Sequence, residues 1–234
     1  MKINKLDFVS GARKATGLAV IIDVFRAFSL ACYAVENGAR RVIPVGEVET
    51  AWRLREQLPD CVLVGERHTR KIEGFNYGNS PTEIDSAELS GRTIVHTTHA
   101  GTQGLVNALQ AEEVITGSFV NAGAIVDYVR YSACREVSFV SMGTEGVRQT
   151  DEDSLCADYL AHALSGEKMN FEEIRDHLQG YESARKFYDP QQPWAPETDF
   201  DLCMSLDRFP FVLRRRPWGE GLFALEKVTP AAQS

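Results

Sequence analysis

The sequence predicts an α/β fold: three layers, α/β/α, around a mainly parallel sheet of about six strands, with a C-terminal α-rich extension. Three observations predict it. Short apolar runs alternate with stretches of helical periodicity, the pattern of strand–helix–strand units. The runs are near-continuously apolar, as in strands covered on both faces. Four of them end in tight polar clusters, and ligands of open parallel sheets bind outside the carboxyl ends of strands.

Strand-like runs lie at residues 18–23, 41–45, 61–65, 92–96, 113–117 and 136–141, with room for one more near Ile3–Val9. Between them, Val48, Ala51, Trp52 and Leu58 recur at helical spacing, as do Ala122, Ile125, Val126 and Val129. Leu155, Cys156, Tyr159, Leu160, Ala163 and Leu164 form the clearest helical stripe. Thr150 with Asp153 reads as a capping box opening that helix, and Asn170 with Glu173 as the start of the next. The stretch from Glu66 to Pro81 is too long for a plain turn, and its glycines, aromatics and closing Asn79-Ser80-Pro81 predict an ordered, functional loop. Residues 1–165 read as the α/β domain and 166–234 as the extension, whose Phe209, Phe211, Trp218 and Phe223 pack it onto the body.

Composition narrows the function. A formal net charge of −8, from 25 Lys+Arg against 33 Asp+Glu, argues against nucleic acid or an anionic membrane as partner. No apolar stretch reaches transmembrane length and no signal-peptide pattern opens the chain, so the expected compartment is the cytoplasm. Cys32, Cys61, Cys134, Cys156 and Cys203 are scattered without metal-binding spacing and read as reduced thiols.

The first cluster places Asp23 at a strand end and Arg26 at the following helix start, a metal ligand or nucleophile beside a bidentate phosphate clamp. An N-cap Asp with a surface Arg is the plainer alternative. A haloacid-dehalogenase mechanism needs a second Asp at position 25, which is Phe25. Glu66-Arg67 repeats the carboxylate–guanidinium pair, and the long loop behind it favours function over a solvated ion pair. Thr97, Thr98, Gly101 and Thr102 combine hydroxyls and amides at a helix start, an anion-site pattern that is neither a Walker loop nor a dinucleotide fingerprint. His96 and His99 beside them read as structural. Asn121 reads first as an N-cap. Glu145, followed by Asp151-Glu152-Asp153, offers oxygen ligands for a hard cation, although acids also favour a helix N-terminus. Arg214-Arg215-Arg216 reads as a solvated basic patch.

Together these segments resemble the 2-phosphosulfolactate phosphatase (ComB-like) family. The matching texts are V-I-I-D-V-F-R-A at 20–27, G-E-R at 65–67, K-I-E-G-F-N-Y-G-N-S-P at 71–81, T-T-x-x-G-T at 97–102, G-S-F-x-N-A at 117–122, G-T-E-G at 143–146 and E-D-x-L-C-A-D at 152–158. The resemblance covers residues 17–165 well and the tail poorly. It implies Mg2+-dependent hydrolysis of a small anionic phosphomonoester, 2-phosphosulfolactate or a related 2-phospho acid, on a route to coenzyme M. Carried onto this chain, it implies Asp23, Arg26, Glu66, Arg67, Asn79, Thr97, Thr98, Gly101, Thr102, Asn121 and Glu145 as candidate site residues. Their chemistry assigns Asp23, Arg26 and Glu66 as catalytic, Asp23 and Glu145 as metal ligands with Glu66 as a further candidate, and Arg67, Asn79, Thr97, Thr98, Gly101, Thr102 and Asn121 as substrate contacts. A homodimer is compatible with it. The chain departs from the family pattern at His99-Ala100, where an asparagine precedes the glycine, and at Phe28-Ser29, where two hydroxyl residues stand. These departures bear on the exact substrate and motivate an alternative, a non-catalytic binder of a phosphometabolite on the same scaffold. A cysteine hydrolase of the isochorismatase type fits poorly, because Cys134 precedes a strand and Cys156 lies in an apolar stripe.

Overall fold

The computed structural model describes residues 1–219 and 221–230. In chain order the elements are β1 (Lys2–Asp7), α1 (Phe8–Ala12), β2 (Leu18–Ile22), α2 (Ala27–Glu36), β3 (Arg41–Pro44), α3 (Val48–Gln57), β4 (Cys61–Arg67), β5 (Arg70–Lys71) and α4 (Pro81–Asp85). They continue with β6 (Thr93–Thr97), α5 (Gly101–Asn107), β7 (Glu113–Gly117), α6 (Ala122–Tyr131), β8 (Glu136–Ser141) and α7 (Asp151–Ser165). The C-terminal part supplies α8 (Phe171–Gln179), a 3-10 segment (Glu182–Tyr188), α9 (Glu197–Cys203), β9 (Val212–Pro217) and β10 (Phe223–Val228). Residues 231–234 of the predicted extension lie outside the described residues.

The sheet has ten strands in the order β1-β8-β2-β7-β9-β10-β3-β6-β4-β5, not the six expected. It is mainly parallel: β1-β8, β8-β2 and β2-β7 form one parallel block, and β3-β6-β4 a second. The six apolar runs are the six central strands of these blocks. Of the four additional strands, β1 is the further one allowed near Ile3–Val9, an edge strand of half-exposed Lys-rich sequence. The other three escaped that reading for physical reasons: β5 is an exposed two-residue strand, and β9 and β10 carry Arg214-Arg215-Arg216 and Glu226-Lys227. Phe209 and Phe211 are buried in the main core and Trp218 packs on the α3 cluster, while the β9–β10 hairpin sits inside the sheet and joins the two blocks.

That insertion also takes up the three arginines. Arg214 bonds Glu113, Glu226 and the Tyr128 hydroxyl, Arg215 donates to the carbonyls of Leu105 and Ala108, and Arg216 pairs with Glu226. They stitch the hairpin in place and do not form a solvated basic patch.

Helices cover both faces. Along β2, Leu18, Val20 and Ile22 face the cluster built with α6 to α9, while Ala19 and Ile21 face that of α2, α4 and α5. Ile43, Leu63 and Val95 pack on α3. Each fully buried aliphatic side chain contributes roughly 1.5–3 kcal/mol, and all five residues of β2 are completely buried.

Three successive antiparallel pairings set the second parallel block against the first. Twist of about 20–25° per pairing accumulates to on the order of 100° over the five pairings from β2 to β6. The carboxyl ends of the two blocks thereby converge: the Gly101 N–H, after β6, donates to Asp23 Oδ2, after β2, at 2.8 Å.

At the helix starts, Asn170 caps α8 as expected, accepting from the Glu172 N–H and donating to Glu173. The capping box at Thr150 does not form. Its hydroxyl is buried without a partner, because Asp153 turns inward instead.

Candidate active site

Asp23, Phe25, Arg26, Glu66, Thr69, Asn79, Thr98, His99, Ala100, Gly143, Thr144, Glu145, Glu152, Asp153 and Lys186 line one open-mouthed cleft. Asp23 stands at its centre and is almost fully buried. Its Oδ1 accepts from the Ala27 N–H at 3.1 Å and its Oδ2 from the Gly101 N–H at 2.8 Å. Burial pushes its pKa from 3.8 up to about 6; the Ala27 and Gly101 amides and Lys186 oppose the rise and Glu66 adds to it. Gly101 is required by close approach: a Cβ there would lie 2.7 Å from Asp23 Oδ2 and 3.0 Å from Ala27 Cβ.

Glu66 is held in the same manner. Its Oε1 accepts from the His99 N–H at 2.9 Å and its Oε2 from the Thr69 N–H at 2.8 Å. Asp153, at the start of α7, accepts from Val24 N–H and Gly143 N–H, both at 2.8 Å. Its pKa is raised well above the carboxylate range by burial, then by Glu152 and Asp23. Burial likewise raises Glu152, which accepts from the Ser183 hydroxyl.

The loop after β6 thus differs from an open anion cradle. Its amides at His99 and Gly101 already hold Glu66 and Asp23, and Thr98 N–H is taken by Thr102 Oγ1 at 2.9 Å. Thr98 Oγ1 accepts from the Thr102 N–H, and the residue lines the cleft.

Arg26 is buried and paired to Asp199 of α9 at 2.7 Å, with a second bond to the Trp194 carbonyl. Asp199 Oδ1 in turn accepts from Ser80, the Thr82 N–H and the Thr82 hydroxyl. Asn79 lines the cleft and accepts from His96, whose pKa is pulled down to about 4 by burial and by Arg67. The neutral ring therefore donates through Nε2.

Other sequence-predicted residues are placed elsewhere. Arg67 lies outside the cleft lining and donates to the carbonyls of Glu66 and Gly46 and to Thr97 Oγ1. Thr97 and Thr102 are buried in the strand-to-helix turn, and Asn121 donates to the Phe211 carbonyl, tying α6 to the hairpin. Glu145 stands on the rim, 2.9 Å from His68 Nδ1, and that hydrogen bond holds its pKa below the usual value. Phe28 and Ser29 are buried beside Gly101 and Ser118 and do not line the cleft, whereas His99 and Ala100 do.

Lys186 escaped sequence reasoning. It comes from the 3-10 segment of the C-terminal part, far along the chain, and burial lowers its pKa while Glu152 and Asp23 counteract. Nothing local in A-R-K-F-Y distinguishes it from a surface lysine. Asp199 was equally silent, whereas Glu152 and Asp153 carried a signal in the acidic run before an apolar stripe.

A family model described as 2-phosphosulpholactate phosphatase matches residues 6–216. The chain belongs to that family. A probable 2-phosphosulfolactate phosphatase of Thermotoga maritima is 35% identical over 203 residues, covering 82% of this chain and 86% of the relative. One from Clostridium perfringens is 34% identical over 175 residues, 72% and 70% of the two chains, and one from Bacillus subtilis 28% over 204 residues, 86% and 88%. The 2-phosphosulfolactate phosphatase family is one of phosphoric monoester hydrolases, so the carboxylate cleft is the place to look for its chemistry. Among the described residues no helix is long and apolar enough to cross a membrane.

Proposed function

We propose that this chain hydrolyses 2-phosphosulfolactate or a closely related 2-phospho acid with the assistance of Mg2+. The observation that carries the cation is the charge of the cleft. Asp23, Glu66, Glu152 and Asp153 converge on it, against Lys186 and an Arg26 already paired with Asp199. Such a site repels a phosphate dianion until a cation is added. The donor set fits: Mg2+ takes one or two carboxylates and keeps several waters. Asp23 with Glu66 or Asp153 would hold it, and the rim position of Glu145 makes that residue the weaker of the two ligands the resemblance implies. When bound, Mg2+ would polarise the phosphoryl group and neutralise its charge.

The protein's own groups supply the rest. Lys186, Arg26 and the Thr98 hydroxyl bind and orient the equatorial phosphoryl oxygens, where electrostatic stabilisation acts. The backbone amides on both Asp23 oxygens fix that carboxylate, which is ionised above about pH 6. It serves as metal ligand or as nucleophile; in the second role the ester P–O bond breaks as the Asp23 O–P bond forms, the leaving oxygen takes a proton from solvent and departs as the alcohol, and water then attacks phosphorus, freeing phosphate and the Asp23 carboxylate.

The test is phosphate release from 2-phosphosulfolactate and a panel of 2-phospho acids, with Mg2+ and with chelator. Hydrolysis that needs Mg2+ and is lost in Asp23→Asn supports the reading. Absence of hydrolysis across the panel, together with binding of a phosphometabolite, overturns it in favour of a binding protein. The stereochemistry at phosphorus of a chirally labelled phosphate ester separates the two routes: net retention, from two in-line displacements, marks the covalent one, and inversion rules it out.

A further inference from the structure

We propose that His68, His99 and Glu145 form a second metal site, on the rim of the cleft, for a borderline divalent transition ion such as Zn2+. Their ligand atoms all lie within 4.8 Å of one another. His68 Nδ1 is 2.9 Å and His99 Nδ1 3.9 Å from the same oxygen, Glu145 Oε1. Ligand atoms ~2.0–2.2 Å from one tetrahedral ion stand roughly 3.4 Å apart, and the two observed separations bracket that value. Small side-chain adjustments close the shell.

The ligand chemistry separates this site from the carboxylate one. Two imidazoles and one carboxylate select Zn2+ or a neighbouring first-row ion, whereas Mg2+ prefers oxygen donors alone. Three protein ligands leave further coordination positions open, as in catalytic rather than structural zinc sites. His99 and Glu145 also line the cleft, so an ion bound to them sits at its mouth.

The three residues come from separate parts of the chain: His68 from the end of β4, His99 from the loop after β6, and Glu145 from the loop after β8. The His rings already stack edge to face at 4.6 Å. His68 N–H donates to His99 Nδ1 at 3.2 Å; this long, solvent-facing bond is given up on ligation. The side chains of His68 and Glu145 are 78% and 48% exposed, so an ion reaches them from solvent without any rearrangement of the fold.

The test is binding, independent of turnover. The full chain, held in excess Mg2+ so that the carboxylate site is filled, is titrated with Zn2+ by calorimetry and with Co2+ by visible absorption. Expected are one Zn2+ per chain, no displacement by Mg2+, and d–d bands of a low-symmetry Co2+ site. His68→Gln and Glu145→Gln each weaken Zn2+ by at least about tenfold, while Asp23→Asn leaves its affinity unchanged. Lack of saturable Zn2+ binding, competition by Mg2+, or binding that survives both rim substitutions overturns the proposal.

Discussion

Asp23 is shaped by its immediate neighbours more than by its position in the chain. Two amides approach its oxygens, and the closest approach is possible only because residue 101 has no Cβ. Gly101→Ala places a methyl carbon 2.7 Å from Oδ2 and 3.1 Å from Phe28 Cζ, inside a packed region with nowhere to move. The expected outcome is a loss of about 1–3 kcal/mol of stability by denaturant titration, and a fall in kcat larger than the rise in KM, because the proposed mechanism puts the displaced carboxylate at the reacting centre. Wild-type kinetics in that variant would show that Asp23 is not held for chemistry. Lys186 is the cation of the cleft that is not locked in an ion pair with a neighbouring carboxylate at hydrogen-bond distance. Lys186→Gln is expected to lower kcat/KM by about 10²-fold, the usual effect of removing one charge-stabilising donor, and to reduce the stability of the metal-free protein near neutral pH, where Asp23, Glu152 and Asp153 then face one another unscreened. A drop in stability that Mg2+ reverses, with kcat/KM still low, distinguishes a role in turnover from a purely structural one.

The elements meet at the cleft through a clamp between the two ends of the chain. Arg26, at the start of α2, and Asp199, in α9, are both buried, and Asp199 also receives Ser80 and Thr82 at the start of α4. Breaking such a pair leaves a buried guanidinium without compensation, at about 3–5 kcal/mol. Asp199→Ala is therefore expected to lower the denaturation midpoint strongly and to loosen three helices at once, seen as loss of amide protection in α2, α4 and α9; an unchanged midpoint would remove the clamp from the account. The parts of the site that local pattern reveals are the strand ends. Asp23, Glu66 and Thr98 each follow a run of buried apolar residues, and each lines the cleft. Arg67, Thr97 and Thr102 sit in the same motifs, and Asn121 in the one at 117–122, yet all four lie outside the lining and bond neighbouring backbone or side chains of the scaffold. Lys186 and Asp199 reach the cleft only through tertiary packing, and no local spacing encodes that.

At the scale of the molecule, the sheet owes its continuity to a hairpin that reads as polar text. Arg214, Arg216 and Glu226 pair across β9 and β10 and cut their apolar residues into the short runs Val212-Leu213 and Phe223-Ala224-Leu225, so the strands of the two parallel blocks were legible and the join between them was not. That join brings acids from both blocks together, which makes the whole fold sensitive to pH. Asp23 titrates at 3.8 when unfolded and near 6 in the fold, so the folded state holds the proton more tightly. Its contribution, on the order of 3 kcal/mol, is present below about pH 4 and is lost as pH rises through about 6. Asp153 and Glu152 shift in the same direction and add to the loss. The cation proposed for these carboxylates would take the place of the proton, and its affinity would therefore rise over the interval in which the carboxyl ionises. Saturating Mg2+ is expected to raise the melting temperature by about 5–10 °C near pH 7.5, and by little near pH 5, where protons already occupy the cleft. In Asp23→Asn the gain near pH 7.5 should shrink by at least half. An equal Mg2+ effect at both pH values would place the ion away from these carboxylates, since only their ionisation links its binding to pH in this range.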